Sequence, residues 1–277
     1  MTTFHAVVYG IIYGFSQFLP VSADAHGAFL PILFGWPALP VPLLGALNFA
    51  GFLALFVYFR HDWASLISSL LQIIVYRRRP TAIDERLPLF IFLACLPLAA
   101  AWYYLKGPIH ELPWTPTLLS LAFIAMGLPL WFFESYSRKN KTMSDWNWTD
   151  SLLIGLAQIT MLIPGAGLQT GSLSAALSRN YNREAAAKFS FFLGLPILGI
   201  LSIVQLRGLD LHAASGPAPD LSWISFWISM VVCFFTSLLA IGGLMKNLQR
   251  NKGFKQYAIY RLLLGIVVIG AARYWAR

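Results

Sequence analysis

Gly14-Phe-Ser-Gln17-Phe-Leu-Pro20-Val-Ser22-Ala-Asp24-Ala-His26-Gly27 and Gly155-Leu-Ala-Gln158-Ile-Thr-Met-Leu-Ile-Pro164-Gly165-Ala-Gly167-Leu-Gln169-Thr170-Gly171-Ser172 are two polar stretches broken by glycine and proline. They stand in opposite halves of a chain that otherwise reads as lipid-soluble. Both begin Gly-x-x-Gln, and both meet a proline a few residues later. Helices interrupted at corresponding places in two halves of a membrane protein point to a binding site near the bilayer midplane.

The class of protein follows from composition. Of 277 residues, 58% are hydrophobic and only 11% are charged, where a soluble domain carries roughly 25% charged residues. Uncharged runs cover 41–59, 87–105, 115–133, 189–206 and 221–245, each close to the ~20 residues a spanning helix needs. The expected fold is all-α: a polytopic integral membrane protein. The N-terminus has no basic region before its apolar stretch, so it is not read as a cleaved signal peptide. The net charge of +9 does not indicate nucleic acid, because the basic residues gather in short loops between spans. Cys95 and Cys233 lie inside predicted spans and read as small hydrophobes rather than a disulfide or metal site.

Charge also orients the chain. Arg77 to Arg79 with Arg86, then Arg138, Lys139 and Lys141, then Lys246, Arg250, Lys252 and Lys255 mark cytoplasmic loops. No Lys or Arg precedes Arg60, which puts the N-terminus outside. A full span over 3–20 would strand the chain on the wrong side. The reading is therefore a re-entrant hairpin, in along 3–19, broken near Pro20 and back along 23–35. The second half mirrors it: in from Asp150, broken at Pro164-Gly165, back to Arg179. Two hairpins entering from opposite faces make an inverted repeat, 1–133 and 151–277, joined by a cytoplasmic linker at 134–150. Segment 62–76, with Ser at 65, 68 and 69, reads as an interfacial amphipathic helix with Trp63 at the headgroup level.

Phe18-Leu-Pro20-Val-Ser22 with His26 four residues after the serine resembles the first motif of the bacterial undecaprenyl-diphosphate phosphatases, membrane enzymes that recycle the lipid carrier of cell-wall synthesis. The likeness continues through Asn48-Phe-Ala-Gly-Phe-Leu-Ala, Pro164-Gly165, Arg183-Glu-Ala-Ala-Ala-Lys-Phe-Ser-Phe-Phe-Leu-Gly-Leu-Pro196 and Ala258-Ile-Tyr-Arg261. It implies a multi-pass protein of the bacterial inner membrane, with the bilayer and a polyprenyl-phosphate or similar lipid as partners, and leaves room for a homodimer or an accessory role in a membrane complex.

The departures from the family pattern bear on function. The first motif of the family has two glutamates, assigned to metal binding and acid/base work; Tyr13 and Gln17 stand there. The second motif runs Pro-Gly-x-Ser-Arg-Ser-Gly-x-Thr, whose arginine and hydroxyls hold the pyrophosphate. Here the arginine is Leu168, the serine after it Gln169 and the serine before it Gly167. Phosphoryl transfer depends on cations that offset the charge of the substrate, and Mg²⁺ needs one or two carboxylates. Loss of one oxyanion donor costs ~10²–10³ in rate, and losing two carboxylates and an arginine costs more. Two functions therefore stand: a member that binds or moves a polyprenyl-phosphate or related lipid with weak or no hydrolysis, needing no cofactor, or an active phosphatase rebuilt around Ser22, Asp24, His26 and Gln17, for which Mg²⁺ or Ca²⁺ would be required. Tyr13, Asn48, Gln158, Gly165, Gln169, Thr170, Ser172 and Arg261 are the candidate substrate contacts. Each has a structural reading beside it. Asp24 and His26 are a functional pair or a solvated mouth; Gln17 and Gln158 bond the broken backbone or touch ligand; Thr170, Ser172 and Ser174 pack helices; Arg261 holds a headgroup or anchors a cytoplasmic helix end.

Overall fold

The computed structural model describes residues 1–77, 80, 82–207, 209, 216–218 and 221–275, and every regular element among them is a helix. The first hairpin is α1 (Thr3–Phe18) and α2 (Ala23–Phe34). Pro20 stops α1 by forcing the residue before it out of the helical region: Leu19 is extended at φ −83°, ψ 146°. Ser22 then caps α2 by accepting the Ala25 N–H at 3.3 Å. Then come α3 (Val41–Tyr58), α4 (Arg60–Tyr76) and α5 (Ile83–His110). The next crossing is split into α6 (Pro116–Ala125) and α7 (Gly127–Tyr136), because Pro129 has no N–H to return to the Ala125 carbonyl.

The second hairpin repeats the device. α8 (Trp148–Gln158) runs into a 3-10 turn at Ile159–Leu162, and α9 (Thr170–Ser178) returns. Ile163, before Pro164, is again extended, at φ −78°, ψ 117°. The chain ends with α10 (Arg183–Leu206), α11 (Trp223–Gln249) and α12 (Lys255–Trp275). Six helices among the described residues are long and apolar enough to cross a membrane, and the sixth, Lys255–Tyr274, is absent from the uncharged runs because Arg261 interrupts it.

Both hairpins return to the face they enter from. At one end of the bundle Tyr9 donates to the Pro37 carbonyl at 2.9 Å and Trp36 lies 4.7 Å from the His5 ring. At the other end Arg179, at the close of α9, pairs at 2.5 Å with Asp150, at the start of α8, and Tyr181 donates to the same carboxylate at 2.7 Å. The packing exchanges the halves. α1 lies on α11 as α8 lies on α5; α2 meets α12 as α9 meets α7; α3 pairs with α10, and α6–α7 with α12. The glycine of each Gly-x-x-Gln is a point of close contact. A Cβ at Gly14 would lie 2.8 Å from the Cys233 carbonyl, and one at Gly155 would collide with that of Ala94. Small residues let membrane helices approach this closely.

Trp63 is packed against the bundle. Its ring packs edge-on against Phe192, 5.1 Å away, and Asp62 beside it pairs with Lys188 at 2.6 Å, so the start of α4 is tied to the base of α10. Leu66 is the one buried residue along α4, and Ile67, Leu71, Ile74 and Val75 are exposed. Arg60, Lys141, Arg179 and Lys255 lie at the end of the bundle that the positive-inside rule assigns to the cytoplasm. A cysteine introduced at Asn140 should accordingly react with a membrane-impermeant maleimide only in inverted vesicles; reaction in intact cells would reverse the orientation.

Candidate functional site where the hairpin breaks meet

The two breaks touch. Gly167 has φ +87°, a left-handed backbone that a side chain tolerates poorly, and a Cβ there would lie 2.8 Å from Ser22 Cα. Ser22 itself has φ +65°, so both turns are held in sparsely populated backbone regions where they face each other. Gly167→Ala should therefore lower stability by about 2–4 kcal/mol, combining a left-handed penalty with overpacking. A thermal melt in detergent unchanged from the parent would show that the turns are not in contact.

Arg261 locks this junction. It is wholly buried. Its Nε donates to the Phe123 carbonyl at 2.7 Å and its Nη2 to that of Gly165 at 2.6 Å. Nη1 reaches the carbonyls of Ala166 and Pro20 and the Thr170 hydroxyl, at 3.1, 3.3 and 3.1 Å. The guanidinium also lies 4.5 Å over the Phe123 ring. Pro20 belongs to the first break; Gly165, Ala166 and Thr170 belong to the second. Neither expectation for Arg261 holds: it is neither at a helix end nor free for a headgroup. Its N–H groups satisfy carbonyls that broken helices leave without partners.

Beside the junction lies a cavity of about 580 Å³. Ala38, Ile109 and Gln205, from the end of the bundle that holds the N-terminus, line one part of it; Pro164 and Leu168, from the second break, line another. Tyr13, Gln17, Asp24 and Asn48 also face it. The Tyr13 hydroxyl donates to Asp24 Oδ1 at 2.8 Å. Gln17 Nε2 donates to Asn48 Oδ1 at 2.8 Å, and Asn48 Nδ2 donates to Gln205 Oε1 at 2.7 Å. Gln17 thus bonds a side chain of α3 and not the broken backbone. Among the described lining residues Asp24 is the one charged group, and no Lys or Arg is present.

Asp24 and His26 are not a pair. Asp24 faces the cavity, while His26 turns to the other side of α2, edge-on to Phe123 and parallel to Tyr260. Its Nδ1 lies 2.7 Å from the Ser22 carbonyl and its Nε2 2.7 Å from the Tyr260 hydroxyl. Those partners make Nδ1 the donor and Nε2 the acceptor, so neither nitrogen is free to activate a nucleophile. The Ser22 hydroxyl is the cap of α2. Gln158 does bond the broken backbone, donating to the Leu168 carbonyl at 2.7 Å. Gln169 accepts from Ser190 at 2.6 Å, and Ser172 shares a short hydrogen bond with Ser190. Gly165 and Thr170 serve Arg261. Sequence reasoning does not reach Gln205, Ser190 and Tyr260 as partners; the available signal for Gln205 and Ser190 is their being polar residues inside one apolar run.

A divalent cation does not fit this donor set. Asp24 is a single carboxylate with one oxygen taken by Tyr13, the amides of Gln17 and Asn48 bond one another, and no three His, Cys, Asp or Glu side chains converge among the described residues. The side chains on this wall therefore support no step through a metal.

Residues 6–267 match the family model described as Bacitracin resistance protein BacA. The chain belongs to the BacA family. Among its relatives, the undecaprenyl-diphosphatase of Geobacter sulfurreducens is 35% identical over 270 residues, covering 97% of this chain and 98% of the relative. That of Desulforudis audaxviator is 31% identical, with 97% of each chain covered, and that of Myxococcus xanthus is 30% identical, covering 97% of this chain and 89% of the relative. This BacA-family chain is a multi-pass membrane protein, and Tyr13, Gln17 and Leu168, where the sequence reading expects two glutamates and an arginine, all line the cavity.

Proposed function

We propose that this protein binds or moves a polyprenyl-phosphate or related lipid through the cavity between the hairpin breaks, in the bacterial inner membrane, and that it hydrolyses undecaprenyl diphosphate weakly or not at all. One observation carries the reading. The three substituted positions share one cavity wall on which the described residues include no cation. Charge on a diphosphate in a low-dielectric site must be met by cations placed before the reaction. Arg261, the buried cation in the junction, has its donors turned to backbone carbonyls and Thr170. The mostly apolar walls suit an isoprenoid chain. Residues 1–133 and 151–277 we take as the two halves of an inverted repeat whose shared cavity is this one.

A second reading, active hydrolysis, is favoured by the relatives, which are named undecaprenyl-diphosphatases and match over nearly the full length. Under it Asp24 is the available carboxylate, since both ring nitrogens of His26 are engaged. Phosphate release from undecaprenyl diphosphate by the purified protein, with and without Mg²⁺ or Ca²⁺, separates the two. Release near background in every condition is expected.

A further inference from the structure

We propose that a second pocket, where the end of α7 meets the starts of α10 and α12, binds the phosphate of an anionic membrane lipid, with Lys139, Arg183 and Lys255 as its cations. The site is separate from the cavity between the hairpin breaks and does not rest on the function proposed for that cavity.

The pocket has a volume of about 440 Å³, and Lys139, Arg183 and Lys255 line it against one carboxylate, Glu134. That carboxylate is already met. Glu134 is 3% exposed, and its Oε1 accepts from Nε and Nη2 of Arg183 at 2.8 and 2.6 Å. The pairing orients the guanidinium and leaves its Nη1 without a partner among the described residues. A Cβ at Gly253 would collide with Glu134 Oε1, so the turn before α12 closes against this pair. Lys139 donates to the carbonyls of Glu134 and Ser137 at 2.6 and 3.3 Å, which holds its ammonium at the pocket and leaves a further N–H. Lys255 makes no ion pair among the described residues. The positive charge therefore exceeds the negative. Burial pushes the Lys139 ammonium below the ordinary lysine range; the Glu134 charge offsets this, and those of Arg183 and Lys255 add to it. A bound anion relieves that repulsion.

Backbone adds to the same field. Arg183 and Lys255 are the first residues of α10 and α12, where the helix dipole is already positive. Glu184 offsets this in α10, but the first turn of α12 holds no acidic residue.

The position favours a lipid over a soluble anion. Glu134 and Ser135 lie in the last turn of one apolar span, Pro116–Tyr136, and Lys255 and Gln256 in the first turn of another, Lys255–Tyr274. The same two spans expose Phe132, Tyr136, Ile259 and Leu263. The pocket is thus level with the headgroups, at the end of the bundle that the positive-inside rule assigns to the cytoplasm. Basic pockets between spans on that side suit anionic headgroups. Loop cations that only orient the chain need no pocket and no buried carboxylate to aim them.

The test titrates the full-length protein in maltoside micelles with dihexanoyl phosphatidic acid, dihexanoyl phosphatidylcholine and inorganic phosphate, read by calorimetry with heats into empty micelles subtracted. Phosphatidic acid should bind about tenfold or more tightly than either of the others, since charge-assisted phosphate contacts and acyl burial then act together. Lys255→Glu should weaken its binding by about tenfold or more. That variant places an acid in the first turn of α12, which the helix favours, and a thermal melt checks its fold; Lys255→Gln should weaken binding in the same direction. Lys252→Glu, at the same end but outside the pocket, should leave the affinity within about twofold, because exposed charges at a distance are screened. Equal binding of phosphatidylcholine, or an equal loss with Lys252→Glu and Lys255→Glu, would overturn the site. Equal binding of inorganic phosphate would overturn the lipid assignment. The ranking of the three ligands by the unmodified protein needs no variant, so a misfolded one would not protect the proposal.

Discussion

Arg261→Met is expected to yield no monodisperse protein in detergent. The substitution keeps the length and apolar character of the stem but removes every N–H. The carbonyls of Pro20, Phe123, Gly165 and Ala166 and the Thr170 hydroxyl then lose their partner in the interior. Each buried polar group left unsatisfied costs about 1–3 kcal/mol, and the whole fold is worth about 5–15 kcal/mol. Arg261→Lys should be intermediate, because one ammonium has three donors on a single atom and cannot span both breaks as the planar fork does. Size-exclusion profiles and thermal melts measure the effect. A variant Arg261→Met that elutes and melts like the parent, yet loses lipid binding, would return Arg261 to the role of ligand contact.

The second large effect concerns chemistry. The unmodified protein should release phosphate far more slowly than the ordinary enzymatic range of about 1–10³ per second. Tyr13→Glu, Gln17→Glu and Leu168→Arg made together should raise release, and only when Mg²⁺ or Ca²⁺ is supplied. All three positions face one cavity, so the restored charges would converge. The need for metal is sharpened by Asp24. The Tyr13 side chain lies within hydrogen-bond reach of it, at 2.8 Å, so a glutamate at 13 brings a second carboxylate beside the first, and the repulsion is relieved by a cation. Leu168→Arg alone should not hydrolyse and should lose stability by several kcal/mol, on the order of 3–5, as an added interior charge without its family partners. Turnover by the unmodified protein at ordinary rates would overturn the non-hydrolytic reading.

Much of the architecture is legible in the residues. Leu19 and Ile163 must be extended because prolines follow them, and with no water in the bilayer to take up freed backbone groups, such breaks are tolerated only inside protein or beside a cavity. Local sterics and charge counts alone reach both hairpins, their ends and the membrane class. The sixth crossing escapes them, since a window that rejects charge rejects Arg261, and nothing along α12 shows that the charge is met by carbonyls from three other segments. The site is less legible for the same reason. Asp24 and His26 are two residues apart, which on a helix puts them on different faces, yet which face meets a cavity and which meets Phe123 depends on how α2 lies between neighbours. Tyr13, Gln17 and Leu168 share a wall only because the two halves pack with their breaks in contact. Local sequence determined where the chain breaks and that the two hairpins open at opposite ends of the bundle, because proline geometry and loop charge act over a few residues. Tertiary structure alone decided which polar groups face the cavity and which are used up in closing the breaks, because hydrogen bonds between segments 95 to 241 residues apart in the chain, as from Arg261 to Ala166 and Pro20, leave no local trace.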